Sequence, residues 1–212
     1  MTALHVVRDA LRTTDLPRGG IATIGNFDGV HLGHRRILEK VVERAREADR
    51  PSVVLTFEPH PLSVLRPDHA PRRLQTLRQK GEALEAIGIE NLLVIPFTRD
   101  FSLTEPEEFV RSILRDRLAV SEVYLGSHFA FGRGKRGDIA LLSRMGAECG
   151  FLASSVDEAV FEGEPISSTR IRRAIARGDV TSANAMLGRE YEVDGLVARG
   201  DKVGRRIGYP TI

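Results

Sequence analysis

A chain of 212 residues is long enough for one well-cored α/β domain and a small appendage, and 42% hydrophobic with 28% charged residues is globular rather than disordered. The net charge of +2 is too small for nucleic-acid binding through bulk charge. Apolar runs such as Val53-Val54-Leu55 and Leu92-Leu93-Val94-Ile95 fall far short of the roughly 20 residues of a membrane span.

The segment from Met1 to Leu11 carries Arg8 and Asp9 and no apolar stretch, so it does not read as a secretory signal. Ile21 to Gly25 is predicted as a buried strand, entered through Gly19-Gly20, and His34 to Ala48 as a helix with Ile37, Leu38, Val41, Val42 and Ala45 at helical spacing. Ser52 to Phe57 follows as a strand, stopped by Pro59 and Pro61. Leu77 to Ile87 reads as a helix closed by Gly88, and Asn91 to Pro96 as a strand. Thr104 with Glu107 has the form of a capping box, with Pro106 in the first turn and an apolar stripe of Phe109, Val110, Ile113 and Leu114. Glu122 to Gly126 is predicted as a strand, Gly126 to Asp138 as a mobile, basic, glycine-rich loop, Ile139 to Cys149 as a helix and Phe151 to Val156 as a strand. Helices over Ser168 to Arg177 and Val180 to Met186 complete the series, and strand-like, glycine-rich text begins near Gly188. Repeated alternation of strand and helix predicts a Rossmann-like, doubly wound parallel sheet, whose ligands sit beyond the carboxyl ends of the strands.

Two segments have the chemistry of phosphate binding. In the first, Gly25-Asn26-Phe27-Asp28-Gly29-Val30-His31-Leu32-Gly33-His34 links a buried strand to a helix. Backbone N–H groups there face the positive end of a helix dipole, the glycines permit close approach, and His31 and His34 can reach one side. In the second, Ile166-Ser167-Ser168-Thr169-Arg170-Ile171-Arg172 opens a helix with free hydroxyls and an arginine that can converge on one phosphate, while Arg170 points elsewhere. Thr56-Phe57-Glu58-Pro59-His60-Pro61, stiffened by two prolines, offers aromatic and proline faces that suit a flat apolar ring, and Gly126-Ser127-His128-Phe129-Ala130-Phe131-Gly132 adds further aromatic residues. The one thiol, Cys149, cannot form an internal disulfide, reads as structural and fits a reducing, cytoplasmic setting; no Asp/Glu cluster marks a metal site.

These strings resemble the motifs of prokaryotic bifunctional riboflavin kinase/FAD synthetases, whose adenylyltransferase half belongs to the nucleotidyltransferase superfamily. The first matches the Gly-x-Phe-Asp-Gly-x-His form of the His-x-Gly-His signature, and the second matches Ile-Ser-Ser-Thr-x-x-Arg. The resemblance implies an FMN adenylyltransferase that transfers AMP from Mg-ATP to FMN. It implies His31, His34 and Arg172 as catalytic groups, and Gly25, Asn26, Phe27, Asp28, Gly29, Gly33, Gly126, Ser167, Ser168 and Thr169 as further ATP contacts. Phe57, His60, Pro61, Phe101, Phe109, His128 and Phe131 would hold FMN, although periodicity alone places Phe109 and Ile113 in the core. His128 departs from the family, which has Asp or Asn there. Residues 1–187 would form the adenylyltransferase. Residues 188–212 would form the truncated start of the kinase β-barrel, poorly ordered and without kinase activity, because Thr211-Ile212 stops short of the family's Thr-Ala-Asn.

Overall fold

A computed structural model describes residues 3–196 and Gly208. Six parallel strands form one sheet in the order β1(His5–Val7), β4(Asn91–Pro96), β3(Ser52–Glu58), β2(Ile21–Ile24), β5(Glu122–Gly126), β6(Leu152–Val156). Between them run helices α1(Leu32–Ala48), α2(Pro61–Leu65), α3(Leu77–Ile87), α4(Pro106–Phe109) and α5(Ile139–Cys149). A β7(Val160–Phe161)–β8(Glu164–Pro165) hairpin, α6(Ser168–Ala176) and α7(Val180–Leu187) follow.

The central strands are continuous apolar runs because helices cover both faces. Ala22, Ile24, Val53, Leu55, Leu93 and Ile95 pack with Phe109, Val110, Leu114 and Leu142 on one side. Their alternate neighbours Ile21, Val54, Leu92 and Val94 pack with α1 and α3 through Leu38, Val41 and Leu84 on the other. Each fully buried side chain of this kind contributes about 1.5–3 kcal/mol. A third cluster joins Ile166 and Ile171 to Met186, Leu187 and Leu74, and so fastens α6 and α7 beside the sheet.

Strand order reverses at β2, which has β3 on one side and β5 on the other. The crevice beyond their carboxyl ends receives the loops after β2 and β5.

Two expectations are corrected here. The capping box falls not at Thr104 but at Thr76, whose hydroxyl accepts from the Gln79 N–H while the Gln79 side chain returns to the Thr76 N–H. Thr104 instead closes a 3-10 turn over Phe101–Leu103, and its carbonyl accepts from the Arg133 N–H at 2.8 Å. The helix it was expected to cap begins at Pro106 with no side-chain cap and continues as a π-helix over Val110–Arg117. The glycine-rich loop carries a Phe131–Gly137 bridge, and Arg133 and Arg136 pair with Glu105. Residues 188–196 contain no strand; the rest of the proposed kinase segment, apart from Gly208, lies outside the described residues.

Candidate active site

The turn after β2 is held under strain. Phe27 and Val30 adopt left-handed φ values of 45° and 37°, unusual for residues with these side chains, alongside Gly29 at 91°. A Cβ at Gly29 would lie 2.8 Å from Leu74 Cδ1, so glycine is required there twice over.

His31 caps α1: its Nδ1 accepts from the His34 N–H at 3.2 Å. In the neutral imidazole the proton then sits on Nε2, which is left as a donor. The two rings stack with centroids 3.6 Å apart, and the edge of Phe27 closes on His34. Burial, then the Arg189 charge, pushes the His31 pKa down to about 4. Burial and the neighbouring His31 hold His34 well below the usual range. His34 is partly exposed by area, yet its Nδ1 is sealed from water and has no partner. A buried polar atom of this kind beside a cleft calls for a ligand or a water.

The two phosphate-binding segments meet. Arg172 forms an ion pair with Asp28 and donates from Nε to the Arg72 carbonyl at 2.7 Å. Ser168 Oγ donates to the Asp28 carbonyl at 2.8 Å. The Ser167 side chain caps α6 by accepting from the Arg170 N–H, which leaves Thr169 as the hydroxyl with no protein partner among the described residues. Arg170 turns away, as expected, to the carbonyls of Glu164 and Pro165 and over the Phe161 ring.

A cleft of about 540 Å³ is lined by Asn26, Asp28, His31, Gly33 and His34 from the first segment and by Ser167, Ser168, Thr169 and Arg172 from the second, with Gly126 and His60, beside apolar groups such as Ile37 and Ile166. An adjoining cavity of about 340 Å³ is lined by Phe57, Pro61, Phe97, Phe101, Phe109, His128, Phe129 and Phe131. Its rings meet mostly edge-on or tilted, with centroids 5.6 to 6.4 Å apart.

Three expectations shift, and one reading holds. Phe27, with 2% of its surface exposed, packs under the turn instead of facing the cleft. Gly25 and Gly29 shape that turn without walling the cleft, Gly25 fitting closely against the Phe27 ring. His60 faces the cleft that holds His31 and Arg172 rather than the aromatic cavity, because its Nδ1 caps α2 by accepting from the Leu62 N–H. Ile113 is core, as its periodicity suggests.

Sequence reasoning missed Lys80, Gln75 and Arg189. Lys80 Nζ donates to the Asn26 carbonyl at 2.7 Å and to Thr56 Oγ1 at 3.1 Å, and burial lowers its pKa to about 8. Gln75 Nε2 donates to the Phe27 carbonyl at 2.9 Å, and Arg189 to the carbonyls of Gly29 and Val30 at 2.7 and 3.2 Å. A signal existed for Lys80 alone: it falls on the buried face of α3, between Leu77 and Leu84, where a lysine needs a partner.

A parallel α/β sheet that gathers imidazole, hydroxyl and guanidinium groups at its switch point has a Rossmann-like, nucleotidyltransferase-type fold. A model described as FAD synthetase matches residues 13–170. The curated bifunctional riboflavin kinase/FMN adenylyltransferase of Escherichia coli K12 is 37% identical over 209 residues, covering 98% of this chain and 67% of the relative. Its counterpart from Pseudomonas fluorescens is 39% identical over 194 residues, covering 92% and 62%. A crystal structure described as a macrolide-efflux protein from Streptococcus pneumoniae superposes with a TM-score of 0.82 at 26% identity, covering 98% of this chain and 67% of that one. Pantothenate synthetase from Thermus thermophilus, at 16% identity and a TM-score of 0.53 over 87% of this chain and 81% of that one, shares the fold alone. The chain belongs to the FAD synthetase family, and its activity is FMN adenylyl transfer.

Proposed function

We propose that the cleft between His31 and Arg172 binds ATP, that the aromatic cavity takes the isoalloxazine of FMN, and that the reaction occurs where the two join. The observation that carries this reading is their shared wall: Asn26, Pro61, Leu65, His128, Phe129 and Lys135 line both. An FMN phosphate oxygen attacks the α-phosphorus of ATP, the bond to the β-phosphate oxygen breaks, and pyrophosphate leaves with the bonding electrons. The nucleophile is already anionic, so no side-chain base is required, and alignment with charge neutralisation supplies the rate. His31, His34, Thr169, Arg172 and the N–H groups of those turn residues that line the cleft hold the triphosphate.

Magnesium enters as Mg-ATP, held by the nucleotide's own oxygens. Among the described residues no group of three His, Cys, Asp or Glu side chains is placed to hold a metal, and Asp28 is already committed to Arg172.

Lys135 receives the FMN phosphate. Arg133 and Arg136 are paired with Glu105, whereas the Lys135 side chain has no partner among the described residues and its backbone is left-handed at φ 58°.

The change to strand-like, glycine-rich text near Gly188, together with the resemblance, supports a boundary after Leu187 with residues 188–212 as the opening of a kinase unit, and the single thiol supports a cytoplasmic location. No helix among the described residues is long and apolar enough to cross a membrane.

FAD and pyrophosphate production from FMN and Mg-ATP, alongside flavin binding read by fluorescence, tests the scheme. Lys135→Ala is expected to weaken FMN binding about tenfold or more and leave riboflavin, which lacks the phosphate, unchanged. Equal losses for both flavins would remove Lys135 from this role.

A further inference from the structure

We infer that Lys80, Gln75 and Arg189 are positioning residues for adenylyl transfer, acting by holding the carbonyl groups of the phosphate turn away from the triphosphate. Every carbonyl from Asn26 to Val30 accepts a hydrogen bond from a side chain. Asn26 takes Lys80 and Thr56, Phe27 takes Gln75, Asp28 takes Ser168, and Gly29 and Val30 share Arg189. Meanwhile the N–H groups of Phe27, Asp28, Gly29 and His31 make no hydrogen bond among the described residues. Peptide planarity links the two facts, since fixing a carbonyl on one side turns the next N–H to the other. The turn is thereby polarised, with its acceptors used up and its donors free apart from the Val30 N–H, which reaches the Phe27 carbonyl at 3.4 Å.

Strained φ values persist only where the surroundings enforce them, and these side chains are the surroundings of Phe27 and Val30. Lys80 and Gln75 are only 6% and 7% exposed, a burial that such long polar side chains rarely accept without partners. Arg189 comes from beyond residues 13–170, so the turn is completed by a residue outside the family match. It also reaches Gln75 Oε1 at 3.3 Å, which couples two of the donors.

The inference rests on the assignment of this cleft to ATP, and the test separates the two. Arg189→Met, Gln75→Leu and Lys80→Met are assayed for kcat, KM for Mg-ATP and KM for FMN, with FMN binding by fluorescence and calorimetric binding of a non-hydrolysable ATP analogue. Each variant is expected to lose about ten- to a hundredfold in kcat/KM for ATP, because small misplacements of an aligned site are costly, while FMN affinity holds. Arg189→Lys, which retains a donor, is expected to recover part of the loss. The proposal is overturned if kcat/KM for ATP stays within about twofold of the parent, or if FMN and ATP binding fall together as in general unfolding. Should Lys80→Met fail to fold, Arg189→Met, at an exposed position after α7, decides. A parent chain that binds no ATP analogue would count against the cleft assignment, and a parent that binds it while Arg189→Met binds it equally well would count against the clamp.

Discussion

At the scale of single residues, His31 combines two roles. Its Nδ1 orders the start of α1, and its Nε2 remains a donor that carries no net charge at neutral pH. A neutral donor stabilises charge that develops on phosphate without requiring a proton from solvent. His31→Ala is therefore expected to lower turnover in the FMN and Mg-ATP assay by about 100-fold or more, and near-normal turnover would refute the role. Asp28 has a different task. Its carboxylate accepts from the Leu74 N–H at 3.0 Å and pairs with Arg172, joining three separate segments through one buried group. Asp28→Ala leaves that arginine without its counter-charge, so denaturant titration should register a loss of about 3–5 kcal/mol. Asp28→Asn, which keeps an acceptor for Leu74, should lose less.

At the scale of elements, the end of α7 governs whether Arg189 can reach the turn. Gly188 closes that helix at φ 70°, and a Cβ there would sit 2.5 Å from Leu32 Cδ2 at the start of α1. Gly188→Ala is expected to cost about 1–2 kcal/mol from the backbone alone, more once Leu32 must move. Denaturant unfolding measures this loss, and an unchanged midpoint would contradict it. Most elements were legible because their signals are local. β4, α3, β5 and α5 begin and end where apolar period and a terminal glycine or proline place them. The three-residue β1, the five-residue α2 with no buried residue, and the β7–β8 hairpin were invisible, being too short to show a period or a buried face. At Thr104 the letters of a capping box were present, but a competing 3-10 turn and the Arg133 contact claimed the backbone.

At the scale of the molecule, the buried imidazoles make stability depend on pH. The folded state lowers the His31 pKa from 6.5 to about 4. Between those values the unfolded chain binds a proton that the folded chain does not, so stability is fully present above pH 6.5 and drains as pH falls toward 4. The loss attributable to His31 approaches about 3 kcal/mol. His34, shifted the same way, adds to it. Urea titrations from pH 7 to pH 4 should show a shallower decline for His31→Asn than for the parent, and parallel curves would remove this account. The whole-molecule view also explains which parts of the site could be read in advance. Both phosphate-binding strings are contiguous, so residue order displays them. Gln75 and Arg189 act from a distance of 48 and 160 residues along the chain, and nothing beside them in sequence marks the carbonyls they serve.

That long reach has a bearing on biosynthesis. As the chain leaves the ribosome, the glycine turn emerges early, but the side chains that fix its shape follow in stages, with Arg189 among the last. A nascent polypeptide that already displays both histidines would still lack a rigid phosphate cradle. Competence to capture nucleotide would thus wait until Arg189, past the end of α7, has emerged.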